Sequence, residues 1–136
     1  MKMDFTVCIW LAAAWAALAL ATSPPAPACS AQQGQHVVLA SEGVNPDVFV
    51  WDSRERLLRY VSGSWGSTKD VMQHTMLVAA GTLAQVTVCR SREARAQYDT
   101  GVADVYGVKL LTGAYRNHSG WVVAGDAHPS RQKILK

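Results

Sequence analysis

Charge is scarce in this chain. Acidic and basic side chains make up 17 % of its 136 residues, against about 25 % in ordinary soluble domains, and much of the deficit falls in the first thirty residues. The formal net charge is +3, and loss of Lys2 and Asp4 with an N-terminal segment leaves it unchanged. That surplus is small and scattered, whereas nucleic acid calls for a clustered basic face, so nucleic acid is not expected as a partner. Cysteine is also sparse, at three residues, Cys8, Cys29 and Cys89. None falls in a C-x-x-C or in a Cys/His spacing typical of zinc, which speaks against a dithiol redox centre or a structural metal. His36, His74, His118 and His128 form neither H-x-x-x-H nor H-E-x-x-H. No serine stands in a G-x-S-x-G elbow, and the acids beyond Asp4 fall mostly in turns and caps. The expectation is a non-enzyme without cofactor or bound metal. No internal repeat or heptad is visible.

What the chain does have begins at its N-terminus. Lys2 supplies a positive start, residues 5–21 are apolar apart from Thr6, a Ser-Pro-Pro break follows, and Ala26-Pro27-Ala28 gives the small-x-small pattern of a cleavage site. Residues 1–28 read as a signal peptide. The competing reading is an uncleaved anchor, although about 17 apolar residues is short for a span. Either way the body of the protein is expected outside the cytoplasm, as a periplasmic, secreted or envelope-anchored chain. Cys29 follows Ala28, where a bacterial lipoprotein carries its acylated cysteine, but Ala26-Pro27 does not supply the residues of a lipobox. Membrane contact is therefore expected only through the N-terminal segment or a lipid on Cys29. With Cys8 lost in processing, Cys29 and Cys89 are the remaining candidate disulfide in an oxidising compartment. On the chain-entropy model such a loop is worth about 4 kcal/mol. Lipidation of Cys29 would instead leave Cys89 as a buried thiol.

Residues 29–35 are Gln-rich and follow a Pro/Ala-rich stretch, so they read as a disordered linker; residues 36–129 carry the domain, and 130–136 form a basic, frayed tail. His36–Ala40 reads as a first strand, and Asp47–Trp51, rich in β-branched and aromatic residues, reads as a second. From Asp52 the chain reads two ways. Asp52 and Glu55 form a capping-box pattern ahead of Leu57, Leu58 and Val61, yet Arg59-Tyr60-Val61 also suits a strand. Ser67 and Asp70 make a second cap, with a turn or two of helix behind it. Met76–Arg90 reads as strand, turn at residues 79–82, strand, with Ala84, Val86 and Val88 alternating with Gln85, Thr87 and Cys89. Ser91–Asp104 reads as a long mobile loop. Tyr106, Val108 and Leu110 alternate with Gly107, Lys109 and Leu111, and Trp121-Val122-Val123 is the last clear strand. About five short strands with turn signals between them predict a mainly β fold, a small antiparallel barrel with one or two short helical insertions.

The order of these pieces resembles the bacterial Src-homology-3-like barrel. In that family a strand leads through a variable loop to a G-T-x-v-x-V strand, and a hairpin ends in G-x-x-G-W-V with a short closing turn. The corresponding residues are Gly81-Thr82 with Val86 and Val88, then Val108-Lys109-Leu110, then Gly120-Trp121-Val122 followed by Gly125-Asp126, over roughly Asp47 to His128. The family's opening N-V-R-x-G-P segment is replaced by VFVWDSRERLLRY, and the stretch between Ser53 and Met76 is longer than usual. The resemblance implies a non-catalytic binding module, often attached to cell-wall proteins.

The aromatic residues supply the functional candidates. Trp51, Tyr106 and Trp121 fall in strands, where core packing is the simpler explanation. Trp65 lies among Gly63, Ser64, Gly66 and Ser67, near Arg54, Arg56 and Arg59, and Tyr98 and Tyr115 fall in loops. Trp65, Tyr98, Tyr115 and Arg116 are thus the candidate ligand-binding residues, either as an aromatic groove for an extended ligand or as local loop packing. Asn117-His118-Ser119 matches an N-glycosylation sequon, relevant only in a eukaryotic source. The expected partner is a cell-wall polymer, a peptide or an envelope protein, with a structural accessory domain as the alternative.

Overall fold

A computed structural model describes residues 29–95 and 101–131. The expected signal segment (1–28), Tyr98 and most of the basic tail lie outside the described residues. The elements, in order, are β1 (His36–Leu39), β2 (Val48–Trp51), α1 (Arg54–Val61), α2 (Thr68–Gln73), β3 (Thr75–Val78), β4 (Thr82–Arg95), β5 (Val102–Leu110), β6 (Ser119–Val123), a 3-10 turn (Ala124–Asp126) and β7 (Ala127–Pro129). All pairings are antiparallel, in the order β3-β2-β6-β5-β4-β1-β7, so seven strands curl into a half-barrel. The described residues adopt the expected mainly β fold, and of the one or two short helices expected two are present, although β3 and β7, at the two ends, do not meet to close a barrel.

The helix reading of residues 54–61 prevails over the strand reading. Ser53, rather than Asp52, is the N-cap: its side chain accepts from the Arg56 N–H at 3.2 Å. Glu55 in the first turn and Arg59 in the last suit the helix dipole. At α2, Ser67 Oγ accepts from the Asp70 N–H at 3.3 Å and donates to the Asp70 carboxylate at 2.7 Å, as the S-x-x-D spacing predicts.

Alternation in β4 holds from Thr82 to Val86 and then breaks. A register shift between Val86 and Val88 places an irregularity in the ladder, and beyond it Cys89 packs against the main core. The alternation read from Ala84 to Cys89 does not run through, because an extra residue reverses the faces of a strand. The expected loop at 91–104 is mostly strand: β4 runs to Arg95, β5 starts at Val102, and Ala94 pairs with Ala103. Polar side chains hid this extension, since Arg90, Arg92 and Arg95 point to solvent. Residues 79–81 do turn the chain, but not as a hairpin, because β3 pairs with β2 and β4 pairs with β1 and β5.

Two cores result. Inside the curl, Val37, Leu39, Val48, Val50, Ala84, Val86, Tyr106, Val108, Leu110 and Val122 are buried together. On the outer face, Trp51, Leu57, Val71, Ala94 and Val105 form a second cluster, with Phe49, Leu58, Trp65 and Trp121 against it. The helical insertion between β2 and β3 covers this outer face. The ladder from β2 to the rest of the sheet is narrow: β2 meets β6 at the single pair Trp51–Trp121. Gly120 makes that approach feasible, since a Cβ there would sit 2.4 Å from Val50 Cγ1 and 2.7 Å from the Trp51 carbonyl oxygen.

Residues 29–35 differ from the linker expected there. Cys29 is bonded to Cys89 with Cα atoms 6.2 Å apart, Ala31 is buried in the main core, and the Gly34 N–H donates to Val86 O at 2.7 Å. The Ser30 N–H and hydroxyl both donate to Asp104, at 2.7 and 2.6 Å, and Ser30 Oγ also meets the Tyr106 hydroxyl. The Cys29–Cys89 pairing agrees with the candidate disulfide read from the sequence, whereas composition gave no sign of the hydrogen-bonded ties.

Candidate functional site

The insertion builds a cleft of about 370 Å³ walled by Phe49, Tyr60, Trp65, Val71 and Met72. Phe49 reaches it because β2 alternates: Val48 and Val50 turn into the curl, and Phe49 turns out under the helices. Tyr60 comes from the last turn of α1, and Val71 and Met72 come from α2. Tyr60 and Met72 remain exposed, at 42 % and 55 %, so the cleft has an apolar rim open to solvent.

Trp65 sits on the connection between the helices. Its ring meets Trp51 edge-on at 5.2 Å, and Trp51 in turn lies 5.0 Å from Tyr60. The Arg59 guanidinium lies 5.5 Å from the Trp65 ring centroid, a cation–π contact. The Trp65 indole N–H is sealed from solvent and meets no acceptor among the described residues. An indole N–H left without an acceptor costs about 1–3 kcal/mol.

On its other side Trp65 borders a polar basin of about 310 Å³ with Arg56, Arg59, Asp70 and His74. The Asp52 carboxylate organises this edge, accepting from Arg56 at 2.9 Å and contacting His74 Nδ1 at 2.9 Å. Burial pushes the Asp52 pKa up, but the hydrogen bonds and charges of His74 and Arg56 outweigh it, so the carboxyl sits below its ordinary range. Among the described residues Arg59 has no carboxylate partner, whereas Arg54 pairs with Glu55 and Glu93, and Arg56 with Asp52.

Tyr115 and Arg116 are on the exposed turn between β5 and β6, away from Trp65. Tyr115 meets His118 edge-on at 6.0 Å, and His118 shares a separate hollow of about 270 Å³ with Asp52 and His74. Among the described candidates, neither Tyr115 nor Arg116 lines the cleft or the basin that Trp65 borders. Trp65 walls the cleft, Tyr115 touches His118 of the separate hollow, and Tyr98 lies outside the described residues. Sequence reasoning missed Phe49, Met72 and His74 as neighbours of Trp65. The period-two pattern in VFVW was the signal for Phe49; the other two depend on how α2 folds back, which no local pattern announces.

Cys29 and Cys89 sulfurs with an Asp104 oxygen are the one group of three metal-capable ligand atoms close together among the described residues. Disulfide sulfurs are not thiolates, so this is not a metal centre in the oxidised protein. The Cys29–Cys89 bond is compatible with an oxidising, exported location. No family model matches this chain, and comparison with curated proteins and with solved structures finds no match either.

Proposed function

We propose that the chain is an exported, non-catalytic binding module, a Src-homology-3-like barrel with a helical insertion that carries the contact surface. The barrel reading is supported by strand order: β7-β1-β4-β5-β6 are consecutive neighbours, and a short turn precedes the closing strand. Gly81-Thr82 lead into β4, Gly120-Trp121-Val122 lie on β6, and Gly125-Asp126 lie in that turn, in the order the resemblance implies. The first strand of such a barrel is then β1, and the unusual VFVWDSRERLLRY segment belongs to the insertion. The module binds a wall polymer, a peptide or a partner protein of the cell envelope.

The observation that carries this reading is Trp65, a wall shared by an apolar cleft and a charged basin. Large aromatic side chains in such positions dominate binding energies when a partner covers them. Trp65→Ala should lower binding to isolated cell envelope at least about tenfold, and Tyr115→Ala should lower it less. If both variants bind as the parent does, the module reading fails. The competing reading, a structural accessory domain, draws on the Trp51–Trp65 contact, so thermal stability is measured alongside. A loss of binding in a variant that still folds separates the two.

A further inference from the structure

We infer that the surface around Trp65 takes the carboxy-terminal end of a peptide, with the terminal apolar side chain in the cleft and the carboxylate in the basin; this rests on the binding-module reading above. The two hollows differ sharply in chemistry and share one indole. The cleft is walled by the side chains of Phe49, Tyr60, Val71 and Met72. The basin holds Arg56, Arg59 and His74, against one acid, Asp70, whose carboxylate accepts from Ser67.

Of these side chains Arg56 is already committed to Asp52, and His74 contacts the same carboxylate. Arg59 is different: it lies over the Trp65 ring and faces no carboxylate among the described residues, while a guanidinium is always charged and matches a carboxylate in a two-pronged geometry. A ligand that suits both hollows must carry an anion and an apolar group close together. At a peptide terminus both spring from the same Cα, within a few Å of each other. A sugar chain fits less well, because hydroxyls placed against Phe49, Val71 and Met72 would lose water without gaining partners.

The test uses the protein purified from an export-competent host, with its disulfide formed, titrated with pools of N-acetylated pentapeptides ending in leucine, phenylalanine or tryptophan. Each pool is made as the free acid and as the C-terminal amide, and binding is followed by calorimetry. The free acids are expected to bind at least about tenfold more tightly than the amides. Arg59→Met should remove that difference, and Arg54→Gln, which alters a cation outside the basin, should preserve it. Equal binding of acids and amides overturns the carboxylate assignment, as does an acid preference that survives Arg59→Met. Arg59-dependent binding of an oligogalacturonate with no binding of any peptide overturns the peptide assignment in favour of an acidic glycan. If no pool binds while envelope binding stays sensitive to Trp65→Ala, this inference fails and the module reading stands. If envelope binding ignores Trp65→Ala, the module reading itself has failed.

Discussion

Reduction of the Cys29–Cys89 bond should destabilise the domain by several kcal/mol without dismantling the sheet. The bond closes a loop with a sequence separation of 60. On the chain-entropy model, releasing a loop of that size restores about 14 cal/mol/K to the unfolded chain, or about 4 kcal/mol at 25 °C. Two effects modify that figure. The arm keeps its hydrogen bonds from Ser30 to Asp104 and from Gly34 to Val86 when the bond is cut, which holds the native state near its present shape. The loop spans β1, β2, the two helices and β3, so Trp51, Leu57 and Val71 of the outer cluster lie within the constrained segment, while Ala94 and Val105 lie beyond it. Urea unfolding of the oxidised protein and of a Cys29→Ala/Cys89→Ala variant measures the difference. We expect a loss of about 3–5 kcal/mol with an unchanged far-ultraviolet circular dichroism spectrum. A change below about 1 kcal/mol, with equal denaturant slopes, would refute the claim that this bond restrains the unfolded chain.

Gly120→Ala should cost about 1–3 kcal/mol or more, because the new methyl group meets the Trp51 carbonyl; chemical denaturation reads the loss, and near-ultraviolet dichroism should report altered packing of Trp51 and Trp121. Asp126→Asn should stabilise the protein at neutral pH: burial, with Glu42 adding to it and His128 opposing it, holds the Asp126 pKa above 3.8. A raised pKa favours the folded state at low pH, and that advantage is lost as pH rises through the folded value, so the gain from the variant should shrink on acidification; a gain independent of pH would contradict the assignment. Asp104 shows the opposite sign. Burial raises its pKa, but hydrogen bonds from Ser30 and the Arg92 N–H outweigh it, and the result lies below 3.8. Its contribution is therefore full above that value and fades as pH falls through the folded pKa, and Asp104→Asn should flatten the acid limb of a stability-against-pH profile.

Much of the sheet was legible in local patterns. Val48 and Val50, Ala84 and Val86, and Tyr106, Val108 and Leu110 announced their inward faces by period two, and Ser67-x-x-Asp70 announced a helix start. The failures share a cause: they depend on partners far away in sequence. The Gln-rich stretch at 29–35 looks unstructured until Cys89, Asp104 and Val86 are brought beside it. The Arg-rich end of β4 looks like a loop until β5 supplies the matching strand. At the site, Trp65 and the nearby arginines were visible as a group because α1 and its following loop are contiguous. His74 was not, since it reaches Asp52 only by the return of α2 into β3.

The open half-barrel also bears on how the protein behaves at high concentration. Its terminal strands present backbone groups that an invading chain can pair with. Both are short, four residues for β3 and three for β7, and Pro129 in β7 has no N–H to offer a visitor. Brevity and a missing donor guard these margins against strand-by-strand polymerisation. A mutation that lengthens β7 while replacing Pro129 would remove both safeguards at once.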